Sequence, residues 1–191
     1  MSASSDRAAP GPGSPESTTD ISVFEGLFVR ALPPDEKLTA TLRALGYDPS
    51  KPQIRYPTRV WREALDAARR HHYPELPAEE GLRLLGRRFI DGFFNTIAGR
   101  FMAVAMPLIG PAAVIKRMPR YWAAVRTGVS IDVQQEGERL FRITYRDTNP
   151  APDFYAGIIE GAGPYTRSDN RVEIPVRNEE RFELLVSFET K

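Results

Sequence analysis

The spacing of apolar residues changes once along this chain, close to Gly128. Before that point, large apolar side chains recur every three or four residues, which places them on one face of an α-helix. After it they alternate with polar residues, as in a β-strand with one buried face. A run of helices followed by strands is typical of the α+β class. We therefore predict an N-terminal helical half followed by a small antiparallel sheet.

Three helices of the first half are predicted from their start and stop signals. Pro34 suits the first turn of a helix that ends at Gly46, and Thr58 is a good N-cap for the next. The third begins near Pro77 and is apolar over a wide arc, so we predict that it is the central helix. Its stripe consists of Leu82, Leu85, Phe89, Phe93 and Ile97.

Two segments of this half are harder to assign. Residues 21–32 fit both a strand and a short helix, and periodicity does not decide between them. Residues 100–126 have helical character, but Pro107, Gly110-Pro111 and Pro119 interrupt the pattern. Because proline removes a backbone donor and clashes with the preceding turn, we expect breaks at these three places.

The second half is predicted as two strand pairs around one helix. Apolar residues alternate around Ile131 and around Ile143, with Gly137 in the turn between them. A helix starts at 150–152, and two further strands are expected at 171–176 and 182–188. The predicted order is strand–strand–helix–strand–strand.

The first twenty residues differ in composition from the rest. Residues 1–20 contain no aromatic and no branched aliphatic side chain, so they cannot bury enough surface to offset the entropy of ordering. We predict a disordered tail over 1–20 and a single domain over 21–191. The longest uncharged run, 101–115, is shorter than the roughly 20 residues of a spanning helix. With no secretory signal, no predicted membrane span and no cysteine, a cytoplasmic protein is expected.

Positive charge is concentrated in the middle of the chain. Residues 83–126 carry eight basic side chains and one acidic one, a net charge of +7, whereas the whole chain carries +1. A functional interpretation joins five of these side chains into an anion or phosphate site. They are Arg88, Lys116, Arg117, Arg120 and Arg126. The alternative is a solvated basic face that includes a weak Arg87–Asp91 pair. No nucleic-acid-binding motif is present, so we expect no specific nucleic acid partner.

Aromatic and methionine residues between 89 and 106 form a second candidate site. Six of them could line an apolar ligand pocket: Phe89, Phe93, Phe94, Phe101, Met102 and Met106. The alternative is that they simply pack in the core, as aromatic stripes on helices usually do.

No catalytic or metal-binding pattern is apparent. His71 and His72 are the only histidines, and neighbours in a helix point about 100° apart, whereas a helical metal pair needs a spacing of three or four. The acidic residues Asp147, Asp153 and Glu160 are scattered, and Asp153 is better explained as a helix cap. We therefore expect no enzymatic activity, no metal and no cofactor.

Four segments resemble an uncharacterised family found in myxobacteria. They are Phe24-Glu25-Gly26-Leu27-Phe28, Leu84-Leu85-Gly86-Arg87-Arg88-Phe89, Gly92-Phe93-Phe94 and Asn149-Pro150-Ala151-Pro152. The resemblance covers nearly everything after the tail and implies no known activity.

More distantly, the order of elements resembles the haem–nitric-oxide-binding domain and its superfamily, which includes vesicle-tethering subunits. That resemblance implies an apolar ligand or partner held between the helical half and the sheet. Haem-binding members have a histidine ligand before their strands, and residues 100–128 contain none. Their Tyr-x-Ser-x-Arg motif, counted from Tyr145, would need Ser and Arg where Asp147 and Asn149 stand. Haem held in that family's manner is therefore not expected.

Our hypothesis is a non-enzymatic sensory or adaptor domain with a small apolar ligand between the central helix and the sheet. The alternative is a protein-interaction module with a filled core that acts through its basic surface. A third interpretation is an enzyme whose site has no recognisable pattern. A cavity beside Phe93 and Met102 would favour the first, and a solid core the second. No oligomeric state is predicted.

Overall fold

A short strand at the N-terminus joins the helical half. The computed structural model describes residues 16–147 and 151–190, except for the side chain of Ala98. Strand β1 (Thr18–Asp20) pairs antiparallel with β2 (Arg55–Pro57). The predicted tail is therefore wrong for residues 18–20, because backbone pairing orders residues that bury little apolar surface. Residues 1–15 of that tail, and residue 150 of the helix start predicted at 150–152, lie outside the described residues.

The helical half follows the predicted order. The ambiguous segment 21–32 is helical: α1 continues directly into a π-helical segment. The bounds are Ile21–Phe24 for α1, Glu25–Ala31 for the π-helical segment, Glu36–Ala44 for α2, Thr58–His72 for α3 and Ala78–Phe94 for α4. Asp35 caps α2, since its carboxylate accepts a hydrogen bond of 2.7 Å from the backbone N–H of Leu38.

Helix α5 (Ile97–Val125) is longer and less broken than predicted. Only Gly110 departs from helical geometry, with φ 74° and ψ 169°. Pro107 and Pro119 stay within the helix. Each removes one backbone hydrogen bond, but the neighbouring Met106 and Met118 are buried and hold their turns against the core. Tertiary packing thus overrides the local signal at two of the three predicted breaks.

The second half forms a four-stranded antiparallel sheet in the order β3-β4-β6-β5. Its strands are β3 (Ser130–Gly137), β4 (Leu140–Arg146), β5 (Ser168–Arg177) and β6 (Arg181–Thr190). Between β4 and β5 lie α6 (Pro152–Gly161) and the short α7 (Gly163–Thr166). Alternate residues of β4 and β6, such as Phe141 and Leu184, are completely buried. This arrangement confirms the α+β class and the strand–strand–helix–strand–strand order.

Glycines bring the central helix α4 close to its neighbours. A Cβ at Gly157 of α6 would lie 2.0 Å from the carbonyl oxygen of Arg83, and one at Gly86 would lie 2.1 Å from that of Phe154. On the same helix, a Cβ at Gly92 would lie 2.0 Å from the carbonyl oxygen of Gly26 in the π-helical segment. No larger side chain fits such backbone contacts. The central position predicted for α4 therefore depends on close backbone contacts at glycines. Gly26, Gly86 and Gly92 belong to three of the four segments that resemble the family, and Gly157 belongs to α6.

Candidate ligand site

An apolar cavity of about 280 Å³ lies between α4, α5 and α6. α4 supplies one wall through Phe89, Ile90, Phe93 and Phe94. Because one helical turn separates the two adjacent pairs, the four side chains share a face, and each is less than a tenth exposed. The rings of Phe89 and Phe93 stack with their centroids 5.6 Å apart. This wall is well packed on the side away from the cavity.

Helix α5 covers the cavity from the opposite side. Its first half contributes Met102 and Met106, which are one turn apart. Its second half contributes several more side chains, among them Val114, Ile115, Met118 and Trp122. The break at Gly110 lets both halves bend over the same space. Methionine side chains are flexible and polarisable, so this cover suits ligands of varied shape.

Helix α6 forms the third wall with Ile158, Ile159 and Ala162, and two polar residues close one end. The hydroxyl of Thr166 lies 2.7 Å from that of Ser168, and the Asn170 amide donates to the carbonyl oxygen of Ile159 at 2.8 Å. Since the protein itself satisfies these groups, the cavity presents an almost wholly apolar lining. Such a lining selects apolar molecules.

The position of the cavity differs from the predicted one in one respect. We expected a space between the central helix and the sheet, but the space lies among three helices. α6 stands between α4 and the sheet, and Asn170 of β5 is the sheet's contribution to the lining. The physical reason is that α6 crosses α4 closely at Gly86 and Gly157 and so occupies the space between α4 and the sheet.

The structure gathers five of the six predicted pocket residues around the cavity. Phe89, Phe93, Phe94, Met102 and Met106 line it. Phe101 does not: its side chain is 78% exposed. It precedes Met102 by one residue and so points about 100° away around the helix. An apolar run that covers all sides of a helix gives no sign of which side faces inward.

The five predicted anion-binding residues lie in different surroundings. Arg88 lies over the ring of Tyr73 and Lys116 over that of Phe141. Arg120 reaches the edge of the cavity, and Arg117 is exposed. Arg126 is buried and ion-paired. These contacts do not describe one shared anion site.

The buried partner of Arg126 is Asp147. The guanidinium donates to both carboxylate oxygens, at 3.0 and 3.3 Å, and also to the hydroxyl of Tyr155. Arg62 reaches the same carboxylate at 2.6 Å. Burial alone would lower the pKa of Arg126, but its contacts with Tyr155 and Asp147 raise it, so the guanidinium stays charged. The sequence carries no local sign of this cluster, because its members are far apart along the chain.

Three carboxylates that looked scattered in sequence are each paired with arginine. Glu160 binds Arg83 at 2.5 Å and Arg87 at 2.8 Å across the α4–α6 contact. The Arg87–Asp91 pair of the alternative interpretation is not formed, and Asp91 instead accepts a hydrogen bond from the hydroxyl of Tyr165 at 2.9 Å. Arg87 thus pairs with Glu160 on another helix in preference to the solvated Asp91 on its own helix.

Asp153 is also paired and does not act as a cap. Its carboxylate lies 2.6 Å from Arg177, and the first turn of α6 has no side-chain cap hydrogen bond. The capping interpretation is therefore wrong. Because Asp147, Asp153 and Glu160 each bind arginine, they offer no acid–base pair of the kind that shares a cleft.

The two histidines lie at the end of α3, away from the cavity lining. His71 Nε2 is 3.2 Å from the carboxylate of Asp35. His72 Nε2 is buried without a hydrogen-bond partner among the described residues. Burial lowers the pKa of His72, and the positive charges of His71 and Arg88 lower it further. Within 16–147 and 151–190, no cluster of three residues of metal-binding type occurs.

A family model described as "Protein of unknown function (DUF2378)" matches residues 18–189. The chain belongs to this family. The myxobacterial source expected from the sequence stays a prediction. No curated protein matches the DUF2378 chain in sequence.

Solved structures similar to the DUF2378 chain are H-NOX domains. A Cs H-NOX variant with an unnatural amino acid is 15% identical, with a TM-score of 0.65 over 88% of this chain and 94% of that one. An Fe(II) unliganded H-NOX protein from K. algicida is 9% identical, with a TM-score of 0.64 over 90% and 97%. A structure from a study of heme distortion in the H-NOX family is 14% identical, with a TM-score of 0.61 over 80% and 85%. The chain therefore has an H-NOX-like fold.

The cavity of the DUF2378 chain lacks the histidine that holds haem in the haem-binding members of this fold. Its lining includes no histidine or cysteine that could bind the iron, and both histidines lie on α3 outside it. Buried Arg126 is paired with the carboxylate of Asp147, and Asp147 stands where the haem-binding motif would have serine. Position 149 of that motif lies outside the described residues. The expectation that haem is not held in the family's manner agrees with this donor set.

Proposed function

We propose that this protein is a non-enzymatic sensory or adaptor domain of the cytoplasm that holds a small apolar ligand in the cavity between α4, α5 and α6. The observation that carries the proposal is the apolar cavity of about 280 Å³ beside Phe93 and Met102. Ligand pockets of proteins start at about 300 Å³, so this one suits a molecule at the small end of that range.

The shape of the cover suggests how occupancy would be sensed. α5 meets the ligand on both sides of Gly110, so a ligand that fills the cavity bears on both halves of the helix. The end of α5 leads directly to Arg126, which is paired with Asp147 beyond the end of β4. A shift of α5 therefore acts on a buried ion pair that connects the helical half with the sheet.

The rival hypothesis was an interaction module with a filled core and a basic surface. Two observations weigh against it. The core contains a cavity, and three of the basic side chains between 83 and 126 are neutralised by carboxylates of the chain itself. They are Arg83, Arg87 and Arg126.

A direct test is titration with N-phenyl-1-naphthylamine, a neutral dye that fluoresces in apolar surroundings. We expect saturable binding to the purified chain. Val114→Phe, which fills part of the cavity, should weaken it about tenfold, the equivalent of about 1.4 kcal/mol. Val104→Phe makes the same change on the outer face of α5, where the side chain is 74% exposed, and should leave dye binding unchanged.

Native mass spectrometry gives a second, independent result. A mass that is lost on denaturation, and is absent from Val114→Phe, would identify a natural ligand of the cavity. Dye binding that is absent, or equal in the two variants, would overturn the proposal, provided that both variants unfold cooperatively as the wild type does.

A further inference from the structure

The first half of α5 carries an apolar face that no described part of the chain covers. Ile97, Phe101, Val104 and Leu108 recur at intervals of four, three and four residues and so lie on one side of the helix. Their side chains are 80%, 78%, 74% and 84% exposed. Single exposed apolar residues are ordinary, but a continuous row of four marks an interaction surface.

The inner face of the same half-helix is apolar as well, because Met102 and Met106 line the cavity. A helix that is apolar around its whole circumference is typical of apolar surroundings on both sides. The stretch Gly99–Val125 has the length and composition of a membrane-crossing helix, yet only 22% of its most apolar part is buried. Since the methionine face lines the cavity, the outer face of α5 is the side that is exposed and free to lie on a bilayer.

The charge around this face favours a negatively charged partner. The sequence contains no acidic residue between Asp91 and Asp132, so α5 carries none. Arg100 lies on the exposed face one turn before Val104, and Arg117 is exposed in the second half. Neither arginine has a carboxylate partner among residues 16–147 and 151–190. Exposed apolar side chains with basic neighbours are typical of helices that lie in the interface of anionic membranes.

A second copy of the chain suits this face less well. Stable protein–protein interfaces bury about 800 Å² on each partner and involve about 20–30 residues a side. The exposed row offers four large side chains along three turns, and two copies that met there would bring both Arg100 side chains together without a carboxylate. A lipid surface accepts a narrow row and neutralises its arginines.

We propose that the outer face of α5 docks this domain on the surface of anionic lipid bilayers, with Phe101 and Leu108 inserted among the lipids and Arg100 at their headgroups. This inference is independent of the ligand proposal, because the two use opposite faces of the helix.

The test is co-sedimentation of the purified full-length chain with phosphatidylcholine vesicles, with and without phosphatidylglycerol as about one third of the lipid. We expect binding to the anionic vesicles, weaker binding to the neutral ones, and a decrease with added salt. The double substitution Phe101→Glu/Leu108→Glu should lower the bound fraction about tenfold. Ile54→Glu is the matched control, because Ile54 is 80% exposed but lies in the loop before β2.

Three outcomes would overturn this proposal. The chain does not sediment with anionic vesicles; the control loses binding as much as the double variant; or the chain forms a dimer without lipid that the double substitution abolishes, which would assign the face to a second copy. Unfolding curves and dye binding of the double variant should match those of the wild type, so a failure here is distinguishable from a failure of the cavity proposal.

Discussion

Arg126 and Asp147 form an ion pair inside the domain: Nη1 of Arg126 lies 3.0 Å from Oδ2 of Asp147, and each side chain is 3% exposed. Arg126 follows the last residue of α5, and Asp147 follows the last residue of β4. The pair therefore joins the helical half to the sheet at a point that water does not reach. We expect the pair to affect the free energy of unfolding chiefly when one of its two partners is removed.

Asp147→Asn should destabilise the protein by about 3–5 kcal/mol, because it leaves the guanidinium of Arg126 buried without a counter-charge. Urea unfolding followed by circular dichroism measures the change. Glu25→Gln is the control, since Glu25 binds Arg30 at 2.8 Å where both side chains are substantially exposed. It should cost at most about 1 kcal/mol. Equal costs for the two substitutions would contradict the prediction.

Gly157→Ala should destabilise the protein by about 1–3 kcal/mol, although alanine is the better helix former. The added Cβ would lie 2.0 Å from the carbonyl oxygen of Arg83, so α4 and α6 would have to separate. Gly137→Ala is the control, because its Cβ would be 3.5 Å from that of Leu140, an ordinary contact. Thermal and urea unfolding should show a clear loss for the first variant and little change for the second.

Gly110→Ala tests the break in α5. The added Cβ would meet nothing within 4 Å, so any effect comes from the backbone alone. A φ of 74° with a ψ of 169° is adopted almost only by glycine, and we expect a cost of about 1–3 kcal/mol. An unchanged free energy of unfolding would show that α5 passes through position 110 in another conformation.

His72 should make the protein less stable in mild acid. Burial and the charges of His71 and Arg88 hold its pKa below the ordinary value of 6.5, so the unfolded chain takes up this proton more readily than the folded one. The contribution is complete above pH 6.5 and is lost as the pH falls below it. His72→Gln should therefore lose less stability than the wild type between about pH 7.5 and about pH 5.5.

The control for this prediction is His71→Gln, which keeps His72 and its burial, the largest cause of its lowered pKa, and should therefore keep most of the acid-dependent loss. Urea unfolding at the two pH values gives the comparison. A His72→Gln variant with the same pH dependence as the wild type would show that protonation of other groups causes the loss.

Much of the fold follows from local signals. The spacing of apolar residues predicts α4 as a central helix, and the change to alternation after Gly128 predicts β3 and β4 and the α+β class. These predictions succeed because helix period, caps and strand alternation depend only on the order of residues within one segment, which fixes the face that is buried and the face that is exposed. The same local signals placed five of the cavity-lining residues, all on α4 and the first half of α5, in one candidate pocket, but none from the second half of α5.

The failures share a physical cause. Pro107 and Pro119 predict breaks that the buried residues beside them prevent, and Phe101 resembles Met102 in sequence while facing the opposite surroundings. Glu160 and Asp147 are ordinary surface residues in sequence, but the fold brings each to an arginine from a distant element. A pairing across two helices, or across a helix and a sheet, depends on how the elements cross, and no local pattern encodes that.

The amino-acid sequence by itself therefore determined the helical character of α2, α3, α4 and α6 and the four strands of the main sheet, that the protein has no cysteine chemistry, and that α5 carries no negative charge. Only the tertiary structure decided that a cavity remains between three helices, that one face of α5 covers it while the other is exposed, and that the buried carboxylates are paired with arginine. The reason is that periodicity and composition are properties of single segments, whereas cavities and ion pairs arise from the distances between segments.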